Sequence, residues 1–278
     1  MTILAFTAVI ALGSVGAGLI GALTGLGGGV VIVPLLVMAC GVDIRYAIGA
    51  SLVSVIATSS GAAAAYVSEG YSNIRIAMLL EIATTLGAIS GAMFAAEVPT
   101  RALAVAFAAV LMYPAYLSGR PSKAGGPNGK SDTLAGWLRL NSSYPTAEGL
   151  VNYQVRRVPA GFAVMYGAGI LSGMLGIGSG AVKVLAMDRA MQLPFKVATT
   201  TSNFMIGVTA AASAGIYLRR GYIDPGLALP VVLGVLLGSM VGARLLTSAR
   251  TSLLRNVFRS VIVLLALEML YKGVTGSL

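Results

Sequence analysis

The sequence has no histidine and a single cysteine, Cys40, and only 10% of its 278 residues are charged. Without histidine there is no imidazole metal ligand, no Cys-His nucleophile pair and no ordinary imidazole proton relay, and one cysteine closes no internal disulfide. Soluble domains carry about a quarter charged residues to keep their surface wet. A tenth excludes a cytosolic enzyme and a disordered chain alike, whereas 57% hydrophobic residues and 36 glycines suit a membrane protein. At roughly 20 to 25 residues per bilayer crossing, the length allows about ten crossings at most. Nine acidic side chains against 19 basic ones leave a net charge of +10. The basic residues lie in short connections between apolar runs, so they fit loops at an anionic lipid surface, and no nucleic-acid partner is expected.

Apolar stretches run at 3–24, 29–41, 46–67, 75–96 and 101–118, then at 158–176, 180–192, 197–218, 226–247 and 254–272. The first opens at Thr2 with no basic residues before it and leads to no convincing cleavage site. It is expected to stay as a helix, not to be removed as a signal peptide. The stretches 29–41 and 180–192 reach only about 18 Å as helix against a hydrocarbon core of about 30 Å. They are expected to be embedded half-helices, or to lean on their flanks to cross. Between the two sets, 118–157 holds Gly125, Gly126, Pro127, Gly129 and the only tryptophan, Trp137. Its first half reads as a flexible linker, and the two-residue alternation of Val151 to Val155 as a short strand. The expected organisation is a first transmembrane repeat over 1–117, a cytoplasmic linker loop over 118–157 and a second transmembrane repeat over 158–278.

The repeat emerges when the chain is compared with itself at an offset of 151 residues. Gly25, Gly27 and Gly29 fall on Gly176, Gly178 and Gly180, Ser51 on Ser202, Thr58 on Thr209, and Gly87 and Gly91 on Gly238 and Gly242. The expected fold is therefore an all-α polytopic membrane protein made of two five-segment repeats, each with a glycine-broken short helix. If all five segments cross, or if the first two form a re-entrant hairpin, the count is odd and the repeats are inverted. One half-inserted segment beside four crossings makes them parallel. Inverted units with substrate held at broken helices are the architecture of secondary transporters. Under odd parity one face collects Arg75, Arg189, Lys196, Arg250, Arg255 and the basic residues of the central loop, and the other Arg45, Arg101, Arg219, Arg220 and Lys272. The positive-inside rule then puts the central loop in the cytoplasm of a multi-pass cell (inner) membrane protein, with both termini outside.

Glycine runs break helices, free consecutive N-H groups and let a following half-helix aim its positive end at an anion. On that ground Gly27, Gly28 and Gly29, with Gly178, Ser179 and Gly180, are candidate substrate-binding residues. Gly61, Gly87, Gly91, Gly238 and Gly242 read instead as close helix packing. Lys183, three residues after Gly180, stands in an apolar run where an ammonium is costly unless paired or facing water. It is the candidate fixed positive charge, with snorkelling to the surface as the alternative. Ser51, Ser202 and Asn203 are candidate uncharged donors, although Ser and Thr also bond back to their own helix. Glu81 and Glu268 are candidate carriers of a coupling proton, Glu81 with a local ion pair as its alternative role. No cofactor or metal is expected.

The motifs resemble those of a known family, the TauE/SafE sulfite exporters, also called the toluene-sulfonate uptake permeases. The resemblance rests on Gly25-Leu-Gly-Gly-Gly-Val-Val-Ile-Val-Pro34 and on its second copy, Gly173-Met-Leu-Gly-Ile-Gly-Ser-Gly-Ala-Val-Lys183, which runs on to Lys196-Val-Ala-Thr-Thr-Thr-Ser202-Asn203. The second copy departs at Ser179, where the family has glycine, and at Leu185, where it has proline. The resemblance implies movement of sulfite or small organosulfur anions. The expected function is a non-enzymatic carrier that exports a small oxyanion by alternating access, with membrane lipid as its surround. Import of a sulfonate or another inorganic anion, a membrane-embedded enzyme and a structural subunit are the rivals. Substrate, direction, coupling ion and oligomeric state stay open at the level of sequence.

Overall fold

The structure, a computed structural model, describes residues 3–68, 70–95, 97–118, 132–146, 149–248 and 251–275, with some side chains outside that description, Glu268 among them. The helices are α1 (Ile3–Thr24), α2 (Gly29–Ala39), α3 (Ile44–Ser68), α4 (Ile74–Phe94), α5 (Thr100–Ser118), α6 (Thr133–Trp137), α7 (Val158–Leu175), α8 (Gly180–Leu185), α9 (Phe195–Arg219), α10 (Pro225–Ser248) and α11 (Thr251–Thr275). A π-helical turn, Ala186–Ala190, continues α8, and a hairpin of β1 (Ser142–Thr146) and β2 (Gly149–Tyr153) follows α6.

Among the described residues four segments are long and apolar enough to cross a membrane by length and composition: Thr7–Thr24, Ile74–Phe94, Val158–Leu175 and Pro225–Leu246. They belong to α1, α4, α7 and α10, which pack as two close pairs, α1 with α10 and α4 with α7. The closeness follows from glycine. A Cβ on Gly87 would meet the Tyr166 carbonyl, and one on Gly91 the Ile170 carbonyl. Gly238 and Gly242 stand in the same relation to the carbonyls of Val15 and Leu19, and Gly61 meets Ser239, so all five glycines are packing residues as expected. Around the outside run the apolar stripes Met78, Ile82 and Leu86 on α4 and Leu229, Leu233 and Leu237 on α10, each side chain 56–66% exposed. In water such stripes would drive aggregation, and against lipid tails they carry no penalty.

The packing sets a first expectation. Gly91→Ala puts a methyl group into the backbone of α7, while Gly167→Ala, also on α7, meets nothing within 4 Å. Overpacking of this kind costs about 1–3 kcal/mol. The Gly91 variant should therefore melt well below the parent in detergent, and Gly167→Ala should melt with it. Equal melting of both variants would show that the α4–α7 contact is looser than described.

At the centre α3 and α9 lie side by side. Gly49 of α3 abuts the Tyr222 carbonyl just beyond the end of α9, whereas Ser59 donates to the Asn203 carbonyl at 2.6 Å. Contacts that climb one helix as they descend the other make the two antiparallel. These helices carry the buried hydroxyls Ser51, Ser54, Thr58 and Ser59, and Thr199 to Ser202 with Thr209 and Ser213. A buried hydroxyl needs a partner, and most of these bond a backbone carbonyl, on their own helix or across.

Residues 132–146 and 149–157 dock at one end of the helices. The Asn73 amide donates to the Leu140 carbonyl and to the Tyr153 hydroxyl, both at 2.9 Å, while its Oδ1 caps α4 at Ile76. Burial holds the Tyr153 hydroxyl above the ordinary tyrosine range, and the bond from Asn73 partly offsets this. Arg75 bonds the Arg139 carbonyl, Arg156 bonds Gln192, and Lys196 lies over the Tyr71 ring. Arg75, Lys196 and the central segment thus share one end, and Arg220 bonds the Ala92 and Met93 carbonyls at the other. The strand expected over Val151–Val155 is β2, ending at Tyr153. Its partner β1, Ser-Ser-Tyr-Pro-Thr, has no apolar alternation to announce it, and α6 is too short for periodicity. The linker expected before them falls at 119–131, outside the described residues.

Candidate functional site

Each of the two short helices begins at a break. Between α1 and α2, Gly25 and Gly27 take φ of +73° and +66°, and between α7 and α8, Gly176 and Gly178 take +65° and +66°. Side chains disfavour that region, which is why glycine stands at all four positions. Ser179 also takes a left-handed φ, +52°, where the first copy has Gly28. Residues 29–39 and 180–190 keep the 151-residue offset, and differ after Pro34 and Leu185. The proline stays within α2, whereas α8 gives way to the π-turn one residue past Leu185.

The two breaks are locked to each other. Ser51 donates to the Gly176 carbonyl at 2.6 Å, and Ser202 donates to the Gly25 carbonyl at 3.0 Å. Donors and acceptors are both 151 residues apart, so each half supplies the hydroxyl that satisfies the other half's broken helix. The same exchange recurs in the apolar contacts: Gly27 and Gly178 both sit between Val55 and Ile206, another pair at that offset. A Cβ on Gly180 would strike the Gly25 carbonyl and the Leu26 backbone. Gly27, Gly28, Gly29, Gly178, Ser179, Gly180, Ser51, Ser202 and Asn203 are therefore brought into one central cluster, every one of them buried. Asn203 donates to the Ala22 carbonyl at the end of α1 at 2.8 Å. In this arrangement the Ser51, Ser202 and Asn203 donors bond backbone carbonyls.

Lys183 is fully buried, so it does not snorkel. Its Nζ donates to Thr209 Oγ1 on α9 and lies 3.5 Å from Glu81 Oε2 on α4. The Thr209 hydroxyl donates onward to Glu81 Oε1 at 2.5 Å, and Thr85 donates to the same oxygen at 3.3 Å. Glu81 is 13% exposed, in the wall of a groove of about 600 Å³ between α4 and α9 lined by Met78, Ile82, Phe204 and Val208. Its ion pair is thus not local but joins three elements. Asp188, in the π-turn beside Arg189, is a buried carboxylate with no role expected from sequence, and Thr201, in the hydroxyl run that ends at Ser202, accepts from the Asn73 backbone N–H. For Asn73 a signal existed: a short polar residue after the Gly70-Tyr71 turn and before an apolar run is a helix N-cap pattern. The Glu268 side chain lies outside the described residues. Among the described residues no group of His, Cys, Asp or Glu is placed to hold a metal ion.

Residues 10–269 match the family described as Sulfite exporter TauE/SafE. Among curated proteins the chain is 27% identical over 278 residues to "Probable membrane transporter protein YunE" of Bacillus subtilis, covering 98% of this chain and 99% of that one. It is 26% identical over 264 residues to a "Probable membrane transporter protein" of Xylella fastidiosa, covering 92% and 93% of the two chains. No solved structure matches.

Proposed function

Because the chain belongs to the sulfite exporter TauE/SafE family, a family of multi-pass membrane transporters and not of enzymes, we propose that it exports a small oxyanion, sulfite or an organosulfonate, by alternating access between two inverted repeats. The observation that carries the reading is the reciprocal lock of Ser51 on Gly176 and Ser202 on Gly25. It joins two helix breaks back to back at the core, where broken helices line transport sites. The antiparallel run of α3 and α9 supports inversion. The docking of 132–146 and 149–157 beside Arg75 and Lys196 supports a cytoplasmic central segment between repeats at 1–117 and 158–278.

In this reading the N-H groups about Gly27 to Gly29 and Gly178 to Gly180, the Ser51, Ser202 and Asn203 side chains and the Lys183 ammonium receive the anion when the halves rock apart. The closed arrangement, with all of these anion-binding groups buried, is the state between the two openings. Purified protein in liposomes should move labelled sulfite down its gradient, with a sulfonate competing and sulfate as the comparison anion. Protein-free liposomes set the background. Flux no faster than that background for each of these anions would overturn the proposal.

A further inference from the structure

We propose that Glu81 is the transporter's built-in competitor for Lys183, so that one anion binds only as Glu81 takes up one proton. This rests on the anion-transport reading above. The Lys183 ammonium is sealed from solvent, and Glu81 is the one carboxylate paired with it among the described residues. Among the described residues no other charged group lies within ion-pair distance of either partner. From α8 the carboxylate faces Lys183, from α9 the Thr209 hydroxyl, and from its own helix Thr85. On α7 the one titratable side chain is the Tyr166 phenol, exposed on that helix's surface. Arg75 and Arg220 bond carbonyls at the two ends of α4, and Lys196 of α9 lies over Tyr71.

Charge then dictates the step. Ammonium and carboxylate sum to zero. A monoanion arriving at Lys183 makes the buried cluster negative, and an uncompensated charge at this depth is strongly unfavourable. One proton from the same aqueous side, bonded to a Glu81 oxygen, restores neutrality. The ion pair opens, no covalent bond other than the new O–H forms, and anion plus proton enter with no net charge. Glu81 is the partner built to yield. Its Oε2, 3.5 Å from the ammonium, accepts no hydrogen bond, so that oxygen can take the proton once the ion pair parts. The positions 151 residues away from Lys183 and Glu81 are Ile32 and Val232, while Thr209 keeps a counterpart in Thr58. The duplication therefore supplies a single such pair, shared between the two halves, giving one proton per anion. Export of a monoanion becomes electroneutral and carries an acid equivalent out with it.

The probe is methanesulfonate, the anion of an acid too strong to carry the proton itself, with sulfite run in parallel. Wild-type liposomes should gain one lumenal proton per methanesulfonate taken up, read by a trapped pH dye. In detergent the dissociation constant should rise about tenfold per pH unit where unliganded Glu81 is ionised, as linkage of one proton requires. Whichever anion binds should raise the infrared carbonyl band of a protonated carboxyl, absent in Glu81→Gln. With its competitor removed, Glu81→Gln should bind at least about tenfold tighter at alkaline pH, without pH dependence. Anion flux without protons, flat wild-type binding, or a pH slope that survives Glu81→Gln would each overturn the coupling and leave transport standing. Absence of any anion binding or flux overturns the transport reading itself. Wild-type stoichiometry and slope decide the matter even if the variant is not recovered.

Discussion

Lys183→Met should lower unfolding stability in mixed micelles by about 3–5 kcal/mol, Glu81→Gln by a comparable amount, and the double variant by much less than their sum. Each single change strands one charge. Methionine keeps the length of the lysine stem but leaves the Glu81 carboxylate with only the Thr209 and Thr85 hydroxyls. Glutamine can still accept from Thr209 but leaves the ammonium without a counter-charge in a site with no exposure. Removing both charges trades the ion pair for a neutral contact of similar volume, which in buried sites is often close to neutral in energy. The double-mutant cycle should give a coupling energy of a few kcal/mol. A coupling near zero would show that the 3.5 Å approach is incidental to stability. Lys183→Arg should recover only part of the loss, because a planar fork does not fit the volume of a compact ammonium between α8 and α9.

How much of this was legible in the sequence follows from the range of each signal. Helix breaks are local: consecutive glycines announce them, and the structure places α2 and α8 where the short apolar stretches begin. The cost of Lys183 is also local, since its run of apolar neighbours sets its depth. What the lysine bonds to is not. Glu81 and Thr209 come from other helices, and no spacing along α4 marks position 81 as the place that meets α8. The same holds for the hydroxyls. Ser51 and Ser202 were recognisable as a duplicated pair, but a serine that donates to an anion and one that donates to a broken helix's carbonyl look alike in sequence. Only the crossing of the halves distinguishes them, and it shows why the duplication matters: the acceptor for each serine lies in the other copy. The hairpin partner β1 was silent for a different reason, because Pro145 and neighbouring hydroxyl residues give no two-residue alternation.

Gly180→Ala should be more damaging than the same single-methyl change at its counterpart, Gly29→Ala. Both residues open a short helix and neither has a left-handed φ, so the difference lies in what the added Cβ meets. At Gly180 it meets backbone: the Gly25 carbonyl, and Leu26 Cα at 2.6 Å. Neither atom moves without moving the first break, whose Gly25 carbonyl is held by Ser202. At Gly29 the nearest atoms are Ser51 Oγ and Val55 Cγ2, both at 2.6 Å, which are side chains free to rotate. Rotating Ser51 away does sacrifice its bond to the Gly176 carbonyl, a loss of about 1–3 kcal/mol when the acceptor stays buried. For Gly180→Ala the strain of overpacking, about 1–3 kcal/mol and more where backbone must shift, adds to the parting of the two breaks. The expected result is a melting temperature lower for Gly180→Ala than for Gly29→Ala, and anion flux reduced at least about tenfold in the former under conditions where the protein remains folded. Because the two breaks form one contact, a Gly180→Ala protein that melts and transports as wild type would mean the halves are not held against each other there.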